Sequence, residues 1–128
     1  MRSIEETKKA LNFIRELLDK DVMGADIDSI SNKLIALTQV TGLSAEAMAS
    51  AKKILHQKEI TVMQVINPEI PPSMQSKRLS AECFEEQALL TYADRLNSAI
   101  THTCEGLRTV ISLYKQELQS SLIQSKQN

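Results

Sequence analysis

An all-α protein, a helical hairpin or bundle with one long C-terminal helix, is the fold class this sequence predicts, and three observations predict it. The 128-residue chain is short of what sheets and turns use, with three Gly, three Pro, two Tyr, two Phe and no Trp, while good helix formers abound. Apolar residues recur at intervals of three and four along most of its length. The one strong breaker, Asn67-Pro68-Glu69-Ile70-Pro71-Pro72, is followed from Ser73 to Gln119 by a run with no proline and a single glycine, Gly106, so the chain turns once and then continues as helix.

Ser3 and Glu6 form a capping box for a first helix, to about residue 20, whose stripe is Ile4, Leu11, Ile14, Leu17 and Leu18. Gly24 breaks the chain, and Asp26 caps a second helix with Ile27, Ile30, Leu34, Leu37 and Thr41 on one face. Gly42 is the expected stop, with Leu43 folding back onto the last turn. Ser44 then caps a third helix, with Glu46 in its first turn and Met48, Ala51, Leu55, Val62 and Ile66 along one side. After the prolines, a single helix over about residues 73–119 carries a seven-residue repeat. One seam position holds Leu79, Glu86, Ala93, Ile100, Leu107 and Tyr114, and the other Cys83, Leu90, Asn97, Cys104, Ile111 and Leu118. Residues 1–119 read as one helical domain, and Ser120 to Asn128 as a polar, frayed tail.

The long helix spans about 68 Å and the third about 33 Å, so part of the seam needs another partner. Self-association along Leu90, Ala93, Asn97, Ile100, Cys104, Leu107, Ile111, Tyr114 and Leu118 is the economical solution. A closed four-helix bundle with the long helix kinked near Gly106 is the alternative. Glu86 and Asn97 interrupt the seam, where a polar side chain sacrifices burial unless it finds a partner. An antiparallel hairpin sets Lys53 near Glu86, which predicts an ion pair, and Asn97 is expected to fix register or oligomeric state.

Fifteen basic and sixteen acidic side chains nearly cancel, so the chain as a whole has no long-range attraction for nucleic acid or anionic membranes. Its opening residues, Met1 to Thr7, lack the apolar core of a secretion signal, and no apolar run is long enough to span a membrane, which predicts a cytoplasmic protein. Cys83 and Cys104 lie too far apart along one helix to be bridged and read as small buried apolar residues. Phosphate loops, nucleophile elbows, Cys-x-x-Cys pairs and Glu-x-x-His motifs are absent, so no catalytic residue, cofactor or metal ligand is expected. His56 and His102 stand outside metal-binding spacings.

Two polar sets remain. Lys52, Lys53, Lys58, Lys77 and Arg78 gather towards the proline turn in a hairpin and offer backbone contact to single-stranded DNA, without an aromatic residue to stack bases. Arg95, His102 and Arg108, with Tyr92 and Lys115, are spread over several faces of the long helix. They would bind a small phosphate-bearing ligand only where subunits bring copies together, and a solvated face explains them equally well.

The segment Leu90-Thr91-Tyr92-Ala93-Asp94-Arg95-Leu96, followed by Gly106-Leu107-Arg108-Thr109-Val110-Ile111-Ser112 and Lys115, resembles the C-terminal helical part of small phage recombination-mediator proteins, over about a third of the chain. That resemblance implies a helical, ring-forming oligomer that helps load a recombinase onto single-stranded DNA already covered by a binding protein. The expected function is therefore a non-enzymatic, oligomeric binding or adaptor protein with protein partners and single-stranded DNA. An oligomeric sponge holding a nucleotide-like ligand between subunits is the alternative.

Overall fold

A computed structural model describes residues 2–22 and 26–127. Among these the chain is all α-helical: α1 Ile4–Asp19, α2 Ile27–Gln39, α3 Thr41–Val65, α4 Pro72–Glu82 and α5 Phe84–Gln127. α1 begins where the capping residues direct. The Ser3 side chain accepts from the Glu6 backbone N–H at 3.2 Å, satisfying a donor the first turn would leave open, and the Thr7 hydroxyl donates to the Ser3 carbonyl at 2.7 Å. Asp26 caps α2 in the same manner, accepting from the Asp28 N–H. The break expected at Gly24 lies outside the described residues. Lys33 of α2 reaches back to the carbonyls of Leu18 and Lys20, at 2.9 and 2.8 Å, and so closes the C-terminus of α1 with a cation.

The α2–α3 corner differs from expectation. Gly42 and Ser44 lie inside α3, and Val40 alone separates the two helices. Its N–H donates to the Ala36 carbonyl while its own carbonyl accepts from the Ser44 N–H, so the two hydrogen-bond ladders share one residue and no glycine stop is needed. Ser44 is consequently buried in the α3–α5 contact instead of capping a terminus. Leu43 still packs against the core.

The proline segment turns the chain as expected. The Asn67 side chain accepts from the Glu69 N–H, the Ile70 N–H donates to the Asn67 carbonyl, and Gln75 Nε2 donates to the Ile70 carbonyl. Pro72 occupies the first turn of α4, where a missing N–H costs nothing,.

The single helix expected over about residues 73–119 is two helices. The run is interrupted at Cys83, with φ −101° and ψ 17°. The burial pattern supplies a reason. Cys83, Glu86 and Leu89 are all buried, yet steps of three residues drift by about 60° each around a straight α-helix. An interruption at the first of them keeps all three on the core. α5 continues through Ser120 to Gln127, the segment read as a polar tail, a stretch without Pro or Gly and rich in residues that tolerate helix.

The core is the meeting of α1, α2 and α3 on the first half of α5. Leu11, Ile14, Leu37, Ala47, Ala51, Ile54, Leu89, Ala93, Leu96, Ile100 and Cys104 form one buried cluster. α3 and α5 are antiparallel partners, with Ser44 donating to Asn97 Oδ1 at 3.1 Å and the Cys83 thiol among Lys58 and Glu59 near the other end. α1 is tied on by Tyr92, whose hydroxyl donates to Asn12 Oδ1 at 3.1 Å, and by Arg2, whose Nε lies 3.5 Å from a Glu46 carboxylate oxygen.

Candidate functional site

The Ser44–Asn97 hydrogen bond sets the hairpin register, and with it the fate of the polar seam residues. Asn97 finds its partner within the chain. Lys53 is exposed and makes no ion pair with Glu86. Glu86 is buried, and its Oε2 has no hydrogen-bond partner among the described residues. The expected ion pair is corrected because the hairpin settles on the Ser44 contact, out of the register that would face Lys53 towards Glu86. Both cysteines are free and buried, and burial pushes the Cys83 thiol up from its ordinary pKa, which keeps it protonated at neutral pH,.

The structure divides the proposed self-association seam in two. Ala93, Ile100 and Cys104 are at most 5% exposed and belong to the chain's own core, with Leu90 and Leu107 packed against it. Those residues, with Asn97, are therefore spent on the intrachain contact. Ile111 is half-buried, and beyond it Tyr114 and Leu118 stand 44% and 51% exposed. Val110, Leu113, Leu122 and Ile123 join them, each between 44% and 57% exposed. From Arg108 onward α5 is an arm about 30 Å long on which every residue to Lys126 except the half-buried Ile111 is exposed,. Its apolar stripe continues the heptad of the core, since Leu107, Ile111, Tyr114 and Leu118 follow Ile100 and Cys104 at steps of three and four,. Sequence reasoning found Ile111, Tyr114 and Leu118 but missed Leu122 and Ile123, which lie in the segment expected to fray. The absence of any helix breaker after Gly106 was the signal available.

A second apolar surface lies at the hairpin tip. Met63, Ile66, Pro68, Pro72 and Leu79 line a cleft between the end of α3 and the start of α4, and Met63, Val65, Met74 and Phe84 are largely exposed. Sequence reasoning missed this surface too, because Met63, Val65 and Met74 fall off the stripes that periodicity selects.

The basic residues are placed less favourably. Lys52 and Lys53 are exposed on α3, where with His56 and Gln57 they line a shallow depression. Lys77 and Arg78 are exposed on α4, against the far end of α3. All four face solvent, but they form two pairs along the hairpin and not one cluster. Arg95, His102 and Arg108 do not converge. Arg95 shares a groove with Phe84, Gln87 and Tyr92, whereas Arg108 shares another with Thr38, Thr41, Asn97 and Thr101. The exposed His102 has its Nδ1 3.9 Å from Glu105. No group of three metal-ligating side chains occurs among the described residues, and no described helix is long and apolar enough to cross a membrane.

No known protein family matches this chain, and no curated protein or solved structure matches it either.

Proposed function

We propose that this chain is a non-enzymatic helical binding protein of the cytoplasm that assembles with itself through the distal arm of α5 and gathers a protein partner, with single-stranded DNA, on its hairpin. The observation that carries this reading is the arm: Tyr114, Leu118, Leu122 and Ile123 near half exposure on a helix with no intrachain cover. An isolated helix of about twenty residues is marginal in water, and most helical stability comes from packing an amphipathic face. The arm therefore lacks, within one chain, the contacts that would hold it helical, and association supplies them.

The hairpin tip is the protein-partner surface in this reading, because Met63 and Met74 are adaptable apolar side chains of the kind binding surfaces use,. Lys52, Lys53, Lys77 and Arg78 supply phosphate contacts, which fits the likeness of Leu90–Leu96 and Gly106–Ser112 to recombination mediators. The dispersal of Arg95, His102 and Arg108 favours no pocket for a small anion within a single copy.

Native mass spectrometry on gently purified protein tests this reading. A whole multiple of the 14.3 kDa chain without extra mass supports it, and a chain that stays monomeric at micromolar concentration contradicts it. A stoichiometric small adduct would replace it with the ligand-sequestering alternative. Titration of a labelled single-stranded oligonucleotide at two salt concentrations tests the nucleic-acid part, since binding through phosphates must weaken as salt rises.

A further inference from the structure

We infer that α4 is a hinged lid, which pivots as one unit at Cys83 to open the apolar cleft at the hairpin tip, and that the buried carboxylate of Glu86 favours the opening. The cleft between α3 and α4 is the partner surface of the reading above, so what the lid regulates rests on that reading. The movement itself does not. No residue of α4 is buried, and Gln75 and Leu79 are its only half-buried side chains. Lifting α4 therefore uncovers little apolar surface, and elements that bury little open at free energies far below that of global unfolding.

Both ends of α4 allow it to tilt. At the pivot the Cys83 N–H donates to the Leu79 carbonyl at 3.0 Å, and the Cys83 carbonyl accepts from the Gln87 N–H at 2.9 Å. The helical ladder passes through the bend, so α4 can move against α5 while each keeps its own hydrogen bonds. At the other end the connection 66–71 could reach about 20 Å when extended, but it is folded into a turn by the Ile70 N–H on the Asn67 carbonyl. That turn holds the slack a tilt needs.

Glu86 supplies the bias. It is 6% exposed, and its Oε2 has no hydrogen-bond partner among the described residues. Helical side chains lean towards the N-terminus, over the preceding turn, which sets this carboxylate beneath the α4–α5 junction. Cys83 is beside it there, with Lys58 and Glu59 of α3 and Glu82 of α4 the other charged groups around the thiol. A carboxylate oxygen sealed from water without a donor weighs against the closed state. Raising α4 admits water to it.

Cys83 is wholly buried at the pivot and reports the opening on the unmodified chain. The chain is alkylated with iodoacetamide in urea concentrations below the unfolding transition, and Cys83 and Cys104 are separated by peptide mass. The lid predicts that Cys83 reacts with a urea dependence less than about a third of that for global unfolding. The α4 backbone amides should exchange hydrogen with that same shallow dependence. Glu86→Leu, which removes the buried charge, should slow both processes about tenfold. Charge alone would act the other way, since losing a neighbouring carboxylate favours the Cys83 thiolate. Alkylation of Cys83 only with global unfolding, or α4 exchange graded from Pro72 to Cys83 as in fraying, overturns the lid. A Glu86→Leu rate that is unchanged or faster overturns the part given to Glu86. No partner is present in these measurements, so the partner-surface reading stands or falls separately.

Discussion

The two halves of α5 share one heptad and have opposite surroundings. From Phe84 to Gly106 the seam residues are buried under α1, α2 and α3, and Ala93 is wholly so. Beyond Leu107 the spacing continues through Ile111, Tyr114 and Leu118, of which Tyr114 and Leu118 stand 44% and 51% exposed, before Ser121 and Ser125 take the seam positions. The comparison shows that an amphipathic stripe states only that a helix needs a cover. It does not say whether the cover comes from the same chain. Here the supply of covering helix ends at the α2–α3 corner, and the need for it does not.

The largest effect expected from this contrast comes from a change in the proximal half's packing. Leu37 is fully buried in the cluster around Ile100 and Cys104, and Leu37→Ala should cost about 2–5 kcal/mol of unfolding free energy, read by urea denaturation. A loss below about 1 kcal/mol would mean that this core is loosely packed. In the distal half, the double variant Leu118→Asp/Leu122→Asp should abolish self-association while leaving the α3–α5 hairpin folded. Its expected signature is a fall in mass by light scattering with the tyrosine environment of Tyr92 retained.

Asn97 sharpens the boundary between the two halves. Asn97→Ala removes the acceptor of the buried Ser44 hydroxyl, and should cost about 1–2 kcal/mol without changing the oligomeric mass. A change of mass with no loss of stability would return Asn97 to the intersubunit role that the heptad alone suggested. For the hairpin, Lys52→Glu/Lys53→Glu should weaken single-stranded DNA binding and flatten its salt dependence by about 1.4 log units per log unit of salt, the expectation for two lost phosphate contacts. Gly106 gives the smallest effect. It is exposed and helical, with open space where a methyl group would stand, so Gly106→Ala should stabilise by about 1 kcal/mol or less. A destabilisation there would mean that α5 uses the backbone freedom of Gly106.

Much of this fold was legible in the sequence, for physical reasons that differ by element. The Ser3 and Asp26 caps, the proline turn and the stripes of α1 and α2 are set by local chemistry, and local chemistry is what a sequence records. The misread features depend on distant contacts. Ser44 has the side chain of an N-cap, and its use as an interior hydrogen-bond donor depends on Asn97, far away in the chain. The interruption at Cys83 follows from which residues must reach the core together, and the missing Lys53–Glu86 ion pair follows from a register fixed by the Ser44 contact. The helicity of Ser120–Gln127 was hidden by its polarity, which resembles that of a frayed end. Of the candidate site, the periodicity revealed the stripe, but the division between its covered and bare halves needed the position of the α2–α3 corner.

Sedimentation equilibrium of the unmodified chain beside Leu118→Asp/Leu122→Asp, over a hundredfold range of concentration, tests most directly whether the bare arm drives assembly. A mass of at least twice the 14.3 kDa chain is expected for the first and a single chain for the second. Equal masses for the two proteins would contradict it.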